Sequence, residues 1–278
     1  MKHNEFKFKT FDGLQLFAQS WQPESQPKAV ICLVHGMGEH SGRYVHVADS
    51  LTQAGYALIS FDLRGHGKSE GQRGHTPSYE ALMRDISSLL EIANRQFSQL
   101  SLFLYAHSLG GNLVLNYVLR HQPQLKGIIV TGPWLRLAFE LPPFKIIFGK
   151  IVNHLLPAFS QKSGLDTKVL SHDPEVVHAY RNDPLVHDHI TARMFIGIYQ
   201  SGHWVLEHAS EFSLPLLIMH GGADKITSVK ASSEFANKIS ENCTLKIWDG
   251  LYHEIHNEPE KEEFFKFLID WLDEKILN

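Results

Sequence analysis

Three kinds of side chain in this 278-residue sequence have the chemistry and the chain order for nucleophilic catalysis: Ser108, Asp224 and the histidine pair His253 and His256. A serine hydroxyl attacks a carbonyl only when a base takes its proton, and that base needs a third group to hold its tautomer and stabilise its cation. Ala106-His107-Ser108-Leu109-Gly110 matches the nucleophile-elbow pattern G-x-S-x-G, with alanine in the first glycine position. Such a serine sits on a sharp strand-to-helix turn, and small residues two before and two after it let neighbouring backbone pass close by. The helix that follows offers oriented N–H groups to a developing negative charge. The competing reading of Ser108 is an ordinary helix N-cap, which serine also favours.

Gly221-Gly222-Ala223-Asp224 puts a carboxylate just beyond an apolar run, and Asp249-Gly250-Leu251-Tyr252-His253-Glu254-Ile255-His256 places histidines after the next one. Asp62 and Asp249 compete with Asp224 as the orienting acid. Asp62 lies in the glycine-rich stretch 62–69 and reads as structural, holding Arg64 or local N–H groups. His256 competes with His253 as the base. Upstream, His35-Gly36-Met37-Gly38-Glu39-His40 follows a buried run, where a glycine-rich loop can aim backbone N–H groups at a ligand. His35 and His40 are expected to brace it. His187 and His189 have metal-like spacing, but no third ligand pattern accompanies them, so neither a metal nor a cofactor is expected.

These loops need strands to carry them. Residues 6–10 and 14–21 alternate around Asp12-Gly13 as a hairpin. Residues 29–34, 57–61, 102–107, 125–131 and 214–221 are short apolar runs of the kind found in strands buried on both faces, and 243–248 adds another strand. Helical periodicity separates them at 44–54, 79–93, 110–121 and 228–239. It recurs after Asn257-Glu258-Pro259, where Phe264, Phe265, Leu268, Trp271 and Leu272 share a face. Alternating strands and helices predict a mostly parallel sheet covered on both faces, with ligands beyond the carboxyl ends of its strands. Every suspicious loop falls at that end. The rhythm breaks over 132–212, which reads as a helical cap inserted into a core of 1–131 and 213–278.

The chain resembles the Ser-dependent α/β-hydrolases of the monoacylglycerol lipase and lysophospholipase (serine aminopeptidase-like) family. Five stretches carry the likeness: residues 35–44, 61–69, the elbow, Gly221 to Asp224, and Tyr252 to His256. Asp173-Pro174-Glu175 and Asn182-Asp183-Pro184-Leu185-Val186 add a likeness to bacterial lysophospholipase-like members. The resemblance implies an eight-stranded α/β-hydrolase fold with a cap. Residue by residue it implies Ser108 as nucleophile, Asp224 as acid, His253 as base, and the N–H groups of Met37 and Leu109 as the oxyanion hole. It also implies a carboxylic-ester hydrolase working through an acyl-serine. Ala106 departs from the family's usual glycine.

Composition narrows the partners. A formal net charge of −4 gives no reason to expect nucleic acid or an anionic membrane. Neither a signal-peptide pattern nor a membrane-spanning run is seen, and Cys32 and Cys243 read as free thiols, so a cytoplasmic location is expected. The cap segment is apolar. Trp134, Phe144, Ile147, Phe148 and Ile151 are candidates to line an acyl channel, against the plainer reading that this face packs on the core. No stable membrane insertion is expected; transient contact with a lipid surface is left open. A serine aminopeptidase or amidase is the alternative activity. It needs cap carboxylates for a substrate ammonium, and Glu140, Asp173, Glu175 and Asp183 are available. A hydrolase-fold binding protein with vestigial catalysis is the reading from another class, against which stands the presence of all three triad candidates.

Overall fold

The computed structural model describes residues 1–239 and 242–277. The main sheet comprises β1 (Lys2–Lys9), β2 (Gln15–Gln22), β3 (Val30–Val34), β4 (Ala57–Phe61), β5 (Leu102–His107), β6 (Gly127–Thr131), β9 (Leu216–Gly221) and β10 (Cys243–Trp248). Its strand order is β1-β2-β4-β3-β5-β6-β9-β10. The hairpin β1–β2 joins antiparallel, and every pairing from β4 to β10 is parallel. This is the α/β-hydrolase architecture.

The continuous apolar runs are buried on both faces, as their composition requires. In β5, Leu104 and Ala106 enter one apolar cluster with Val34 and Val130, while Phe103 and Tyr105 enter the other. The first cluster is covered by α2 (Tyr79–Gln96), α3 (Leu109–His121) and α7 (Val229–Lys238); α1 (Val45–Gln53) and α8 (Lys261–Leu277) cover the second. Phe264, Phe265, Leu268, Trp271 and Leu272 of α8 are all buried. That helix begins at Lys261, and a 3-10 turn at Ile255–Asn257 takes up the start of the Asn257-Glu258-Pro259 stretch before it. The Glu258 carboxylate points elsewhere, accepting the N–H groups of Tyr252 (2.6 Å) and His172 (2.8 Å).

Residues 132–212 contain α4 (Pro143–Leu155), α5 (Pro174–Asn182) and α6 (Ala192–Glu207). They also hold a two-stranded antiparallel pair that periodicity does not reveal, β7 (Ser160–Lys162) with β8 (His189–Thr191). Three residues are too short a stretch for alternation to register. Helix α6 packs on α3, where Asn112 Nδ2 donates to the carbonyls of Trp134 and Ile198. Helix α4 departs from the core-packing reading, since none of its residues is buried. It rests on α6 at Gly149, where a Cβ would come within 3.1 Å of Ile196 Cδ1.

Candidate active site

Ser108 closes β5 with φ 52° and ψ −113°, a conformation L-residues rarely adopt. Its N–H donates to Thr131 O (2.9 Å), and its carbonyl accepts from Asn112 N (3.1 Å) and Trp134 N (2.9 Å). The side chain makes no N-cap hydrogen bond. Instead Ser108 Oγ lies 3.0 Å from His253 Nε2, and His253 Nδ1 lies 2.7 Å from Asp224 Oδ2. The three groups follow the carboxyl ends of β5, β9 and β10 and meet only because those strands run parallel. Gly132 makes room for the imidazole: a Cβ there would stand 3.2 Å from His253 Nδ1.

Asp224 is fully engaged. Oδ1 accepts from Ile226 N (2.7 Å) and Thr227 N (3.1 Å), and Oδ2 also from Thr227 Oγ1 (2.8 Å) and His220 Nε2 (3.0 Å). Burial would raise this carboxyl, but His253 and the donors around it hold it far below the ordinary carboxylate range. Burial would likewise lower His253, yet the Asp224 carboxylate overrides it and raises the imidazole above its ordinary 6.5. Beside it, His107 is driven well below the usual histidine range by burial and by His253 and His256.

The rival residues are placed elsewhere. Asp62 uses Oδ1 on Ser41 N and Oγ and Oδ2 on Lys68 N, holding local donors as expected. Arg64 pairs with Asp85 and Asp12 rather than with Asp62. Asp249 is exposed. His256 is buried with its ring stacked on Tyr44 and edge-on to His107. Burial pushes it down to about 3. His187 spends Nε2 on Gly65 O and Nδ1 on His189 N.

The loop after β3 runs directly beside the serine. A Cβ on Gly36 would lie 3.2 Å from Ser108 Cβ. Gly36 N–H is taken by Glu39 Oε1 at 2.6 Å, and the next residue of the loop, Met37, lines the same cavity as Ser108. Leu109 N–H is the first of α3 and has no helical acceptor behind it. His35 braces the loop, its Nδ1 on Gly36 O (2.8 Å) and its Nε2 accepting Leu63 N–H (2.9 Å). His40 does so through Asp183 Oδ2 (2.8 Å).

Sequence reasoning missed a buried ionic clamp behind this loop. Arg43 donates to Glu39 Oε2 and, with both terminal nitrogens, to Glu254, all at 2.7 Å. It joins the Gly36–Glu39 loop to the histidine loop. The Glu39–Arg43 spacing of four was a visible signal; the Glu254 partnership, 211 residues away, was not.

Ser108 and His253 open onto a cavity of about 1400 Å³, larger than the roughly 300–1,000 Å³ of most small-molecule pockets. Trp134, Phe144, Phe148, Val152, Phe159 and Phe195 give it an apolar wall. Of the residues expected there, Trp134, Phe144 and Phe148 line it. Ile147 and Ile151 do not, standing 60% and 51% exposed on the adjoining arc of α4. No described helix is long and apolar enough to cross a membrane.

The family model described as serine aminopeptidase, S33, matches residues 25–260. The chain is 33% identical over 274 residues to the monoacylglycerol lipase of Mycolicibacterium smegmatis, covering 97% of this chain and 96% of that protein. It is 38% identical over 274 residues to an abhydrolase domain-containing protein of Dictyostelium discoideum, where it covers 97% of this chain but spans only 29% of that protein's length. The crystal structure of Paleococcus ferrophilus monoacylglycerol lipase superposes with a TM-score of 0.84 at 33% identity, over 99% of this chain and all of that one.

Proposed function

The chain belongs to the serine aminopeptidase S33 family and is a serine-type carboxylic-ester hydrolase within it, and we propose that its substrates are monoacyl lipids, monoacylglycerols foremost. In this reading Ser108 attacks the ester carbonyl as His253 takes its proton, and the Met37 and Leu109 N–H groups receive the charge of the tetrahedral intermediate. His253 returns the proton to the departing glycerol oxygen. Water, activated by the same imidazole, then cleaves the acyl-serine. Asp224 keeps the His253 proton on Nδ1 and stabilises the imidazolium. Residues 132–212 act as the cap, with Trp134, Phe144 and Phe148 receiving the acyl chain.

The observation that carries this reading is the unbroken line from Ser108 Oγ through His253 to Asp224, at 3.0 and 2.7 Å, opening into a large cavity with an apolar wall. The outer arc of α4, with Ile147, Ile151 and Leu155 exposed, supports brief docking on a lipid surface as the route by which substrate arrives. An aminopeptidase finds less support. Of Glu140, Asp173, Glu175 and Asp183, only Asp183 lines the cavity, and its carboxylate is engaged by His40 and by Leu185 N–H. The test is a substrate panel of monoacylglycerols, lysophospholipids, short esters and aminoacyl anilides, run beside covalent labelling by an alkyl phosphonate. Long-chain monoacylglycerols should be preferred, and Ser108→Ala should abolish both turnover and labelling. A preference for anilides, or labelling at another serine, defeats the reading.

A further inference from the structure

His220, on β9, is completely buried. Its Nε2 lies 3.0 Å from Asp224 Oδ2 and its Nδ1 2.8 Å from the hydroxyl of Ser232 on α7. An ionised carboxylate oxygen only accepts, so the proton facing it sits on Nε2; Nδ1 is then the acceptor and the Ser232 hydroxyl the donor. Ser232 therefore fixes the tautomer that His220 presents to the acid. Three donors converge on Oδ2: His253 Nδ1 at 2.7 Å, Thr227 Oγ1 at 2.8 Å and His220 Nε2 at 3.0 Å.

We propose that His220 is a positioning residue that fixes the plane of the Asp224 carboxylate and moderates its pull on His253. The inference rests on the assignment of Ser108, His253 and Asp224 as nucleophile, base and acid. Each donor on a carboxylate stabilises its negative charge and leaves less of it to favour the cation of a neighbouring base. Without His220, the same charge bears more heavily on His253, and the imidazolium forms at higher pH. One of three contacts that orient Oδ2 is lost as well. The other titratable groups facing His253 come from different elements: His107 from β5, Glu39 from the loop after β3, and Glu254 and His256 from its own loop. None of them shares Asp224 Oδ2, so all persist when His220 is replaced.

The experiment compares pH profiles of kcat and KM on a soluble short-chain nitrophenyl ester for the parent protein, His220→Leu, His220→Gln and Ser232→Ala, with thermal midpoints for each. Leucine fills the space without donating; glutamine restores an N–H donor at similar reach. His220→Leu should move the acid limb up by about half a pH unit, a fraction of one charge-assisted hydrogen bond. Its kcat should fall roughly tenfold with little change in KM. Glutamine should bring the limb back. An unmoved or lowered limb in folded His220→Leu overturns the proposal, as does a glutamine variant displaced as far as leucine. Should the leucine variant fail to fold, Ser232→Ala decides: release of the tautomer should move the limb in the same direction, and a stationary limb overturns the proposal. A Ser108→Ala protein that still hydrolyses the ester would instead overturn the underlying assignment, whereas an inactive Ser108→Ala with a stationary limb condemns His220 alone.

Discussion

Gly110 lies against the Val34 carbonyl oxygen so closely that a Cβ on it would overlap that atom. The elbow is thus wedged against β3, and the second small residue of the motif is a steric requirement of the turn. Ala106, at the other small position, instead buries its methyl among the apolar side chains of the first cluster. Gly110→Ala should therefore cost about 2–3 kcal/mol in urea unfolding and lower kcat by shifting Ser108. Ala106→Gly should keep activity and cost about 1 kcal/mol. Equal tolerance at both positions would contradict this account of the turn.

His253 and His256 are three residues apart, yet only His253 reaches Ser108 and Asp224. His253→Ala should be as severe as Ser108→Ala, roughly 10⁴-fold or more in kcat, with little change in thermal midpoint. His256→Ala removes a buried ring stacked on Tyr44, so its main effect should be lost stability of about 2 kcal/mol. The reverse order would move the base to His256.

The two sides of the buried histidine set respond to pH with opposite signs. His253 is raised above 6.5, so its contribution to stability is complete below that value and fades as pH rises through its folded pKa. His187 and His256 are pushed down to about 4 and about 3. As pH falls below 6.5 the unfolded chain binds protons there that the folded chain refuses, and stability drops until those folded values are reached. Urea midpoints should decline on acidification from about pH 7 to about pH 5, the depressed histidines, His107 among them, outweighing the one raised. Activity should show an acid limb above pH 6.5, because in the proposed mechanism His253 must be neutral to accept the serine proton. A limb well below 6.5 would contradict the Asp224 effect.

Arg43 lies between Glu39 and Glu254, both almost wholly buried. Burial would lower the guanidinium, but the two carboxylates raise it well above its usual range. Arg43→Met leaves both negative charges buried without their cation and should cost about 3–5 kcal/mol near neutral pH. Because the stranded carboxylates can then take up protons, the deficit relative to the parent protein should shrink as pH falls toward about 5. A deficit that is the same at both pH values would show that packing, rather than charge, is what Arg43 supplies.

Much of this was legible from the chain because chemistry and periodicity coincided. Continuous apolar runs announced β3, β4, β5 and β9, and each ended in a loop whose residues made sense as a site. The chain order of serine, acid and histidine was visible, while the preference for Asp224 over Asp62 and Asp249, and for His253 over His256, leaned on the family resemblance. What stayed hidden depends on distance in sequence or on elements too short for a period. Glu254 meets Arg43 across 211 residues, and β7 and β8 are three residues each. His220 read as one more member of an apolar strand; only the register of β9 beside its return loop turns its ring onto Asp224. Helix α4 shows the opposite limit. Its amphipathic pattern was plain, but a pattern cannot say whether the apolar arc meets core, cavity or solvent.

That arc is divided between two surroundings, and the division can be tested. Phe144, Phe148 and Val152 line the cavity, whereas Ile147 and Ile151 do not. Phe148→Asp places a charge where the acyl chain would lie, and should cut kcat/KM for dissolved long-chain monoacyl esters about 10- to 100-fold while sparing short aryl esters. Ile151→Asp leaves that wall intact. It should leave both dissolved substrates nearly unchanged and slow turnover only when the monoacylglycerol is presented in vesicles, where the apolar arc has a surface to meet. Neither residue is buried, so both variants should keep their thermal midpoints within a few degrees. If Ile151→Asp matched Phe148→Asp on dissolved substrate, the cavity wall would extend further round α4 than the lining indicates; if Ile151→Asp left vesicle turnover unchanged, the outer arc would have no part in reaching the lipid.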